Sequence, residues 1–245
     1  MATPLARLAL TELKLFFRTP IAAFFTLAFP LLLLFVFGSI FGNRPGITGT
    51  PGAMDQSVPG YIGMILGTTG LMAIPGWVAS YREQGIFRRF RVTPVQPATL
   101  LLAQGIVGFI SSLLGITLLV VAGKVAFNLR MPESPLGVLA AIVLGSASIF
   151  SIGGMLAAVA GTARTAQAIG MALYFPMLFL SGSAFPRAMM PPGVRKVSSV
   201  FPMTHVNELI GGLWLRAEWQ WLPIVVLVAV LLVAGGIAVR NFRWE

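Results

Sequence analysis

Residues 81–94 read Tyr81-Arg-Glu-Gln-Gly-Ile-Phe-Arg-Arg-Phe-Arg-Val-Thr-Pro94, placing Arg82, Arg88, Arg89 and Arg91 between two long uncharged runs. A basic island between membrane-length apolar segments is a cytoplasmic loop by the positive-inside rule. The same stretch has the pattern of a short helix lying along the membrane surface. Ile86, Phe87 and Phe90 cluster on one side at helical spacing, and Arg82, Arg88 and Arg89 spread over the other. Pro94 ends it, because proline has no amide donor and disfavours helix in the preceding residue. So short a helix is marginal alone, so the pattern implies a surface on which it docks.

Outward from this island the chain is almost free of charge. It is 57% hydrophobic and 10% charged, with a mean hydropathy of +0.89, against about 25% charged residues in soluble domains. Six uncharged windows run 19–43, 56–81, 92–123, 134–163, 165–186 and 219–239. Each has the roughly 20 residues that a helix needs to cross a hydrocarbon core. Continuous apolar runs without strand alternation require helices, since a helix satisfies its own backbone in lipid. The expected fold is an all-α integral membrane protein, one domain over residues 1–245. Its six spans fall near 21–41, 58–81, 98–123, 136–161, 166–185 and 220–240. The apolar stretch after Ile21 exceeds a signal-peptide core of about 7–15 residues, so it reads as a span.

The formal net charge of +10 sits in loops at membrane ends, which suits lipid headgroups and topology; no motif for nucleic acid accompanies it. With both termini inside, ten of the 17 basic residues lie inside, in the denser clusters, and seven outside. A cell-membrane, multi-pass protein with cytoplasmic termini, of prokaryotic type, is expected. Residues 4–18 read as an interfacial amphipathic helix, with Arg7, Lys14 and Arg18 on one face and Leu5, Leu8 and Phe16 on the other. Glu12 points to the apolar side, either as a snorkelling carboxylate or as an ion-pair partner of the 82–91 loop.

Span two carries Gly60, Gly63, Gly67 and Gly70 in one narrow sector, near Thr68. Small residues on one face permit close helix packing; a smooth wall of a substrate path is the alternative. Between the fifth and sixth windows, Pro186, Pro191, Pro192 and Pro202 break residues 185–218 into two short helices on the outer side. Their backbone can enter the membrane only where protein covers it.

Chemistry is sparse. There is no phosphate-binding G-x-x-x-x-G-K-[ST] loop and no cysteine, and Asp55 is the one aspartate. No window contains an acidic residue, which argues against a proton- or sodium-coupled carrier. His205, the single histidine, reads as structural or exposed. No catalytic or metal-ligating set is expected. What remains is a membrane pathway whose energy comes from elsewhere. Rival readings are a channel or carrier working without an ATPase, and a non-transporting membrane assembly factor.

The loop Arg82-Glu83-Gln84-Gly85-Ile86-Phe87-Arg88-Arg89-Phe90-Arg91-Val92-Thr93-Pro94 resembles the first cytoplasmic loop of ABC type-2 exporter permeases, R-E-x-G-T-[LF]-x-x-L-[RK]-x-[TS]-P. Phe179-Leu-Ser-Gly-Ser-Ala-Phe-Pro186, with Pro191 and Phe201-Pro-Met-Thr204 downstream, is similar to that family's stretch after span five. Ile86, Phe90 and Phe201 stand where the family more often has threonine, leucine and asparagine.

The resemblance implies a permease subunit, not itself an enzyme, that pairs with a second permease, as homo- or heterodimer, and with two ATP-binding subunits. ATP and Mg²⁺ belong to those partners, and this chain holds no cofactor. Arg82, Glu83, Gly85, Ile86, Phe87, Arg88, Arg89, Phe90, Arg91, Thr93 and Pro94 would form the coupling helix, with Arg164 as the secondary contact. The implied pathway at the dimer interface falls on the glycine sector with Thr68, and on Met171, Tyr174, Phe175 and Phe179 of span five. Its cargo would be hydrophobic or amphipathic, such as a drug, a lipid or a lipid-linked glycan.

Overall fold

The structure is a computed structural model that describes residues 24–45, 50–83, 85, 97–184, 187 and 190–241. The interfacial helix expected at 4–18, with Arg7, Glu12, Lys14 and Arg18, lies outside the described residues, as do coupling residues 86–94. Among the described residues every element is helical. A π-helical turn, Phe24–Ala28, leads into α1 (Phe29–Phe41). Then α2 (Ala53–Gly67), a second π-helical turn (Thr68–Ala73) and α3 (Ile74–Glu83) run on as one rod. The remaining helices are α4 (Pro97–Phe127), α5 (Pro135–Val159), α6 (Ala163–Leu180), α7 (Pro192–Ser198), α8 (Pro202–Leu215) and α9 (Trp221–Asn241).

The punctuation is chemical. Proline sits in the first turn of α1, α5, α7 and α8, where its missing N–H is no loss and its fixed φ suits the helix. Thr162 caps α6 by accepting the Thr165 amide. Asn128 (φ 50°) turns the chain after α4, a left-handed conformation that asparagine tolerates.

Four helical stretches are long and apolar enough to cross a membrane: Ala53–Tyr81, Leu102–Phe127, Pro135–Val159 and Trp221–Asn241. Thr26–Phe41 is a shorter apolar helix. The 18-residue α6 opens on the polar residues Arg164, Thr165 and Gln167 and is not among the four. Helices overrun the uncharged windows: α4 continues past Lys124, whose ammonium reaches Asn128 Oδ1 and the Leu129 carbonyl, both at 3.2 Å. A charge at a span's edge thus marks the end of the apolar run rather than of the helix.

The rod α2–α3 is the centre. Its most apolar window is 89% buried, whereas that of α9 is 22% buried and packs mainly on α5. A core of Ile62, Ile65, Leu66, Ile149, Val206 and Leu213 ties α2, α5 and α8 together. The segment between the fifth and sixth windows does form two short helices, α7 and α8. α8 is more than an edge element, since Met203, Val206, Leu209, Ile210 and Leu213 are all buried.

Candidate coupling end and transport face

The rod presents its irregular middle to three neighbours. In the π turn, the Ile74 amide donates to Thr69 O, and Pro75 has no N–H to add to the ladder. The carbonyls of Gly70 and Leu71 lie in this stretch, and each faces a glycine of another helix. A Cβ at Gly153 of α5 would fall on Gly70 O, and one at Gly170 of α6 on Leu71 O. Glycine is required at both places because backbone meets backbone. The π turn also offers its hydroxyls: Tyr174 OH lies 2.8 Å from Thr68 Oγ1, and Ser112 Oγ lies 3.0 Å from Thr69 Oγ1. Thr68 gives its one proton to Met64 O (2.9 Å), so Tyr174 is the donor in their pair.

The glycine sector is filled by this chain. A Cβ at Gly60 would meet Gly182 O, at Gly63 the Asn207 side chain, at Gly67 Met203, and at Gly70 Ile149 and Phe150. All four glycines and Thr68 are buried. Around Gly60 and Gly63, the Ser181-Gly182-Ser183 turn (Gly182 φ 86°) is held by Asn207 Nδ2, which donates to Ser181 O and Ser183 Oγ, both at 2.9 Å. This gives the second sequence motif a local physical role: it is a tight turn pressed onto glycines of α2.

The helix expected as span five, α6, divides by face. Met171, Phe175 and Phe179 recur at i, i+4 and i+8 and are 40%, 41% and 52% exposed. Ala166, Gly170, Tyr174 and Met177 form the opposite, buried face. The structure therefore separates Tyr174 from the three residues with which the sequence grouped it, although its ring still meets Phe175 edge-on at 5.6 Å between centroids. An apolar cleft of about 530 Å³ lies among α4, α5 and α9, lined by Ile106, Phe109, Phe150 and Leu231 among others. None of the sequence-predicted site residues lines it.

At the loop end of the rod, Glu83 and Gly85 are the coupling residues whose placement is described in full. Gly85 has φ 66°, a left-handed conformation in which an α-helix does not continue. Glu83 Oε1 accepts the backbone amide of Ala163 at 2.8 Å. Its carboxylate thus sits on the first residue of α6, where helix amides are unpaired and the dipole favours negative charge. Arg164 is the next residue and is exposed. Small side chains, Ala79, Ala160 and Ala166, close the space beneath. The structure thus brings Glu83 to the turn that carries Arg164.

Sequence reasoning passed over the opposite end. Asp55, 5% exposed, is enclosed by donors. Its Oδ1 accepts from Asn43 Nδ2 (3.0 Å) and the Arg130 amide (2.8 Å), and its Oδ2 from the Gly52 amide (3.2 Å). Asn43 answers by accepting the Asp55 amide at 3.1 Å, and Trp214 Nε1 donates to the Arg130 carbonyl at 3.0 Å. A capping-box position at the third residue of α2 was the one available signal. Nearby, Glu208 pairs with Arg187 and lies 3.6 Å from Nδ1 of His205. Burial lowers the Arg187 guanidinium from its ordinary pKa, and the charge of Arg195 adds to this. His205 is buried, with Nε2 2.9 Å from Ser199 O.

The family model described as ABC-2 type transporter matches residues 5–213, more than half of the chain. No curated protein matches it.

Proposed function

The chain belongs to the ABC-2 type transporter family as a membrane permease subunit, and from that premise we propose that it is one half of an ATP-driven exporter. The family match supports this reading most, because residues 5–213 take in the basic loop, the rod α2–α3 and all of α6. In this reading six spans cross the cell membrane with both termini in the cytoplasm, so that Glu83, Arg164 and the 82–94 loop face the cytoplasm and Asp55 faces out.

Two ATP-binding subunits seat the loops of two permeases. Phe87 and Phe90 bury as anchors, and the surrounding arginines pair with acidic residues at the rim. Closure of the ATPases on ATP and Mg²⁺ moves each loop as a rigid body. Cargo passes between the two permeases along the exposed Met171–Phe175–Phe179 stripe. Pliable methionine and aromatic groups there suit a hydrophobic or amphipathic substrate better than an ion. The glycine sector of α2, filled by its own chain, serves as the bed on which the stripe-bearing helix and its turn rest.

Co-purification with the ATP-binding subunit from membranes tests the reading. The double variant Phe87→Ala, Phe90→Ala inserts normally but loses the link between ATP hydrolysis and transport. Full transport by that variant, or transport by the permease without any ATPase, rejects it.

A further inference from the structure

The contacts between the rod and α6 form an antiparallel series. Thr68 meets Tyr174, Leu71 O meets Gly170, Gly76 lies against Gln167, and Glu83 holds the amide of Ala163. The first two are buried in the bundle, and the third sets the buried Gly76 against the exposed side chain of Gln167. The fourth is exposed, and its acceptor stands two residues before the left-handed Gly85 at which the basic loop begins.

We propose that Glu83 is a positioning residue that carries the displacement of the 82–94 loop into α6, through its hydrogen bond to the Ala163 amide. This rests on the ATP-driven permease reading above. The physical basis is the geometry of the pair. A helix moves as a unit when gripped at its end, because its internal hydrogen bonds make it stiff along its axis. Ala163 is the first residue of α6, so its amide has no partner within the helix and is free to be held. Eight residues on from Ala163 the exposed stripe begins at Met171, on the side away from the rod. A pull on the Ala163 amide therefore moves the stripe together with the rest of α6. Glu83, which the resemblance gave to the ATPase contact, acts in this account on its own chain.

Two substitutions separate that role from contact with a partner. Glu83→Ala removes the acceptor. Ala163→Pro removes the donor while leaving Glu83 in place, and the site accepts proline. Ala163 is the first helical position, and Thr162 has φ −134°, ψ 157°, the extended conformation that a residue before proline adopts. Glu83→Gln keeps an oxygen that can accept the amide.

The chain has no cysteine, so Ala168→Cys on α6 and Leu232→Cys on α9, both exposed, can carry spin labels cleanly. The labelled permease is bound to its ATP-binding subunit in lipid nanodiscs. The distance between labels is then compared without nucleotide and after trapping with ATP and vanadate. The expected result is a shift in the parent and in Glu83→Gln, lost in Glu83→Ala and in Ala163→Pro, with the pair of substitutions no worse than either alone. ATP hydrolysis persists throughout. A full shift in Ala163→Pro, or a shift lost equally in Glu83→Gln and Glu83→Ala, overturns the proposal. So does a parent complex that hydrolyses ATP without any shift. If the parent binds no ATP-binding subunit, the permease reading itself fails and takes this assignment with it.

Discussion

Asp55 and Glu83 stand near the two ends of one rod and hold their surroundings in opposite ways. Asp55 is buried and accepts from three donors, one of which comes from a segment 75 residues away in sequence. Through it the loop after α1, the start of α2 and the loop after α4 become one body, extended to α8 by Trp214. Among the described residues Glu83 accepts one amide, on the surface, from one neighbouring helix. The difference is between a clamp and a handle. A satisfied, buried polar network resists displacement, whereas a helix end held at the surface by one partner is free to move with that partner. A permease driven from one side needs both, a fixed frame at one end and a movable helix terminus at the other.

The comparison breaks if the two carboxylates behave alike. Asp55→Ala takes the acceptor from three donors, one buried and two partly buried, and a buried donor left unsatisfied costs about 1–3 kcal/mol. It is expected to lower the melting temperature in detergent sharply and to reduce the yield from membranes. Asp55→Asn, which retains one acceptor oxygen, falls between it and the parent. Next in size, Gly170→Val pushes a branched side chain into the Leu71 carbonyl; overpacking of this kind costs about 1–3 kcal/mol. Tyr174→Phe removes one buried hydroxyl and one hydrogen bond, about 1 kcal/mol, because Thr68 keeps its bond to Met64 O. Smallest for stability is Glu83→Ala, a surface change expected within about 0.5 kcal/mol, whose effect is read in coupling instead. A melting temperature for Asp55→Ala close to that of Glu83→Ala removes the distinction between clamp and handle.

Much of this arrangement was legible in the sequence, and the limits have physical causes. The uncharged windows overlap the helices, and the stretch that prolines break at 185–218 holds α7 and α8. The spacing of Gly60, Gly63, Gly67 and Gly70 revealed a packing face, but not that Asn207, Met203 and the Ser181–Ser183 turn fill it. Those partners lie more than a hundred residues away in sequence. The π turn is invisible to a search for 3.6-residue periodicity; Pro75 was the local hint that the ladder breaks there. Tyr174 was recoverable: Ala166, Gly170, Tyr174 and Met177 repeat at helical spacing and mark a buried face. Asp55 was not, since a single acidic residue at a window edge says nothing of the donors that converge on it. Glu83 carried a role by resemblance alone, and its contact with Ala163 needed the fold to bring residues 80 apart together.

The central claim is that ATP acts on the Glu83 end of a frame fixed at the Asp55 end. Amide hydrogen exchange on the lipid-embedded complex with its ATP-binding subunit, with and without ATP and vanadate, tests it most directly. The account predicts a nucleotide-dependent change in protection over residues 163–170 and none over 52–55 and 127–134. A change at the Asp55 end with none in the first turns of α6 would contradict it.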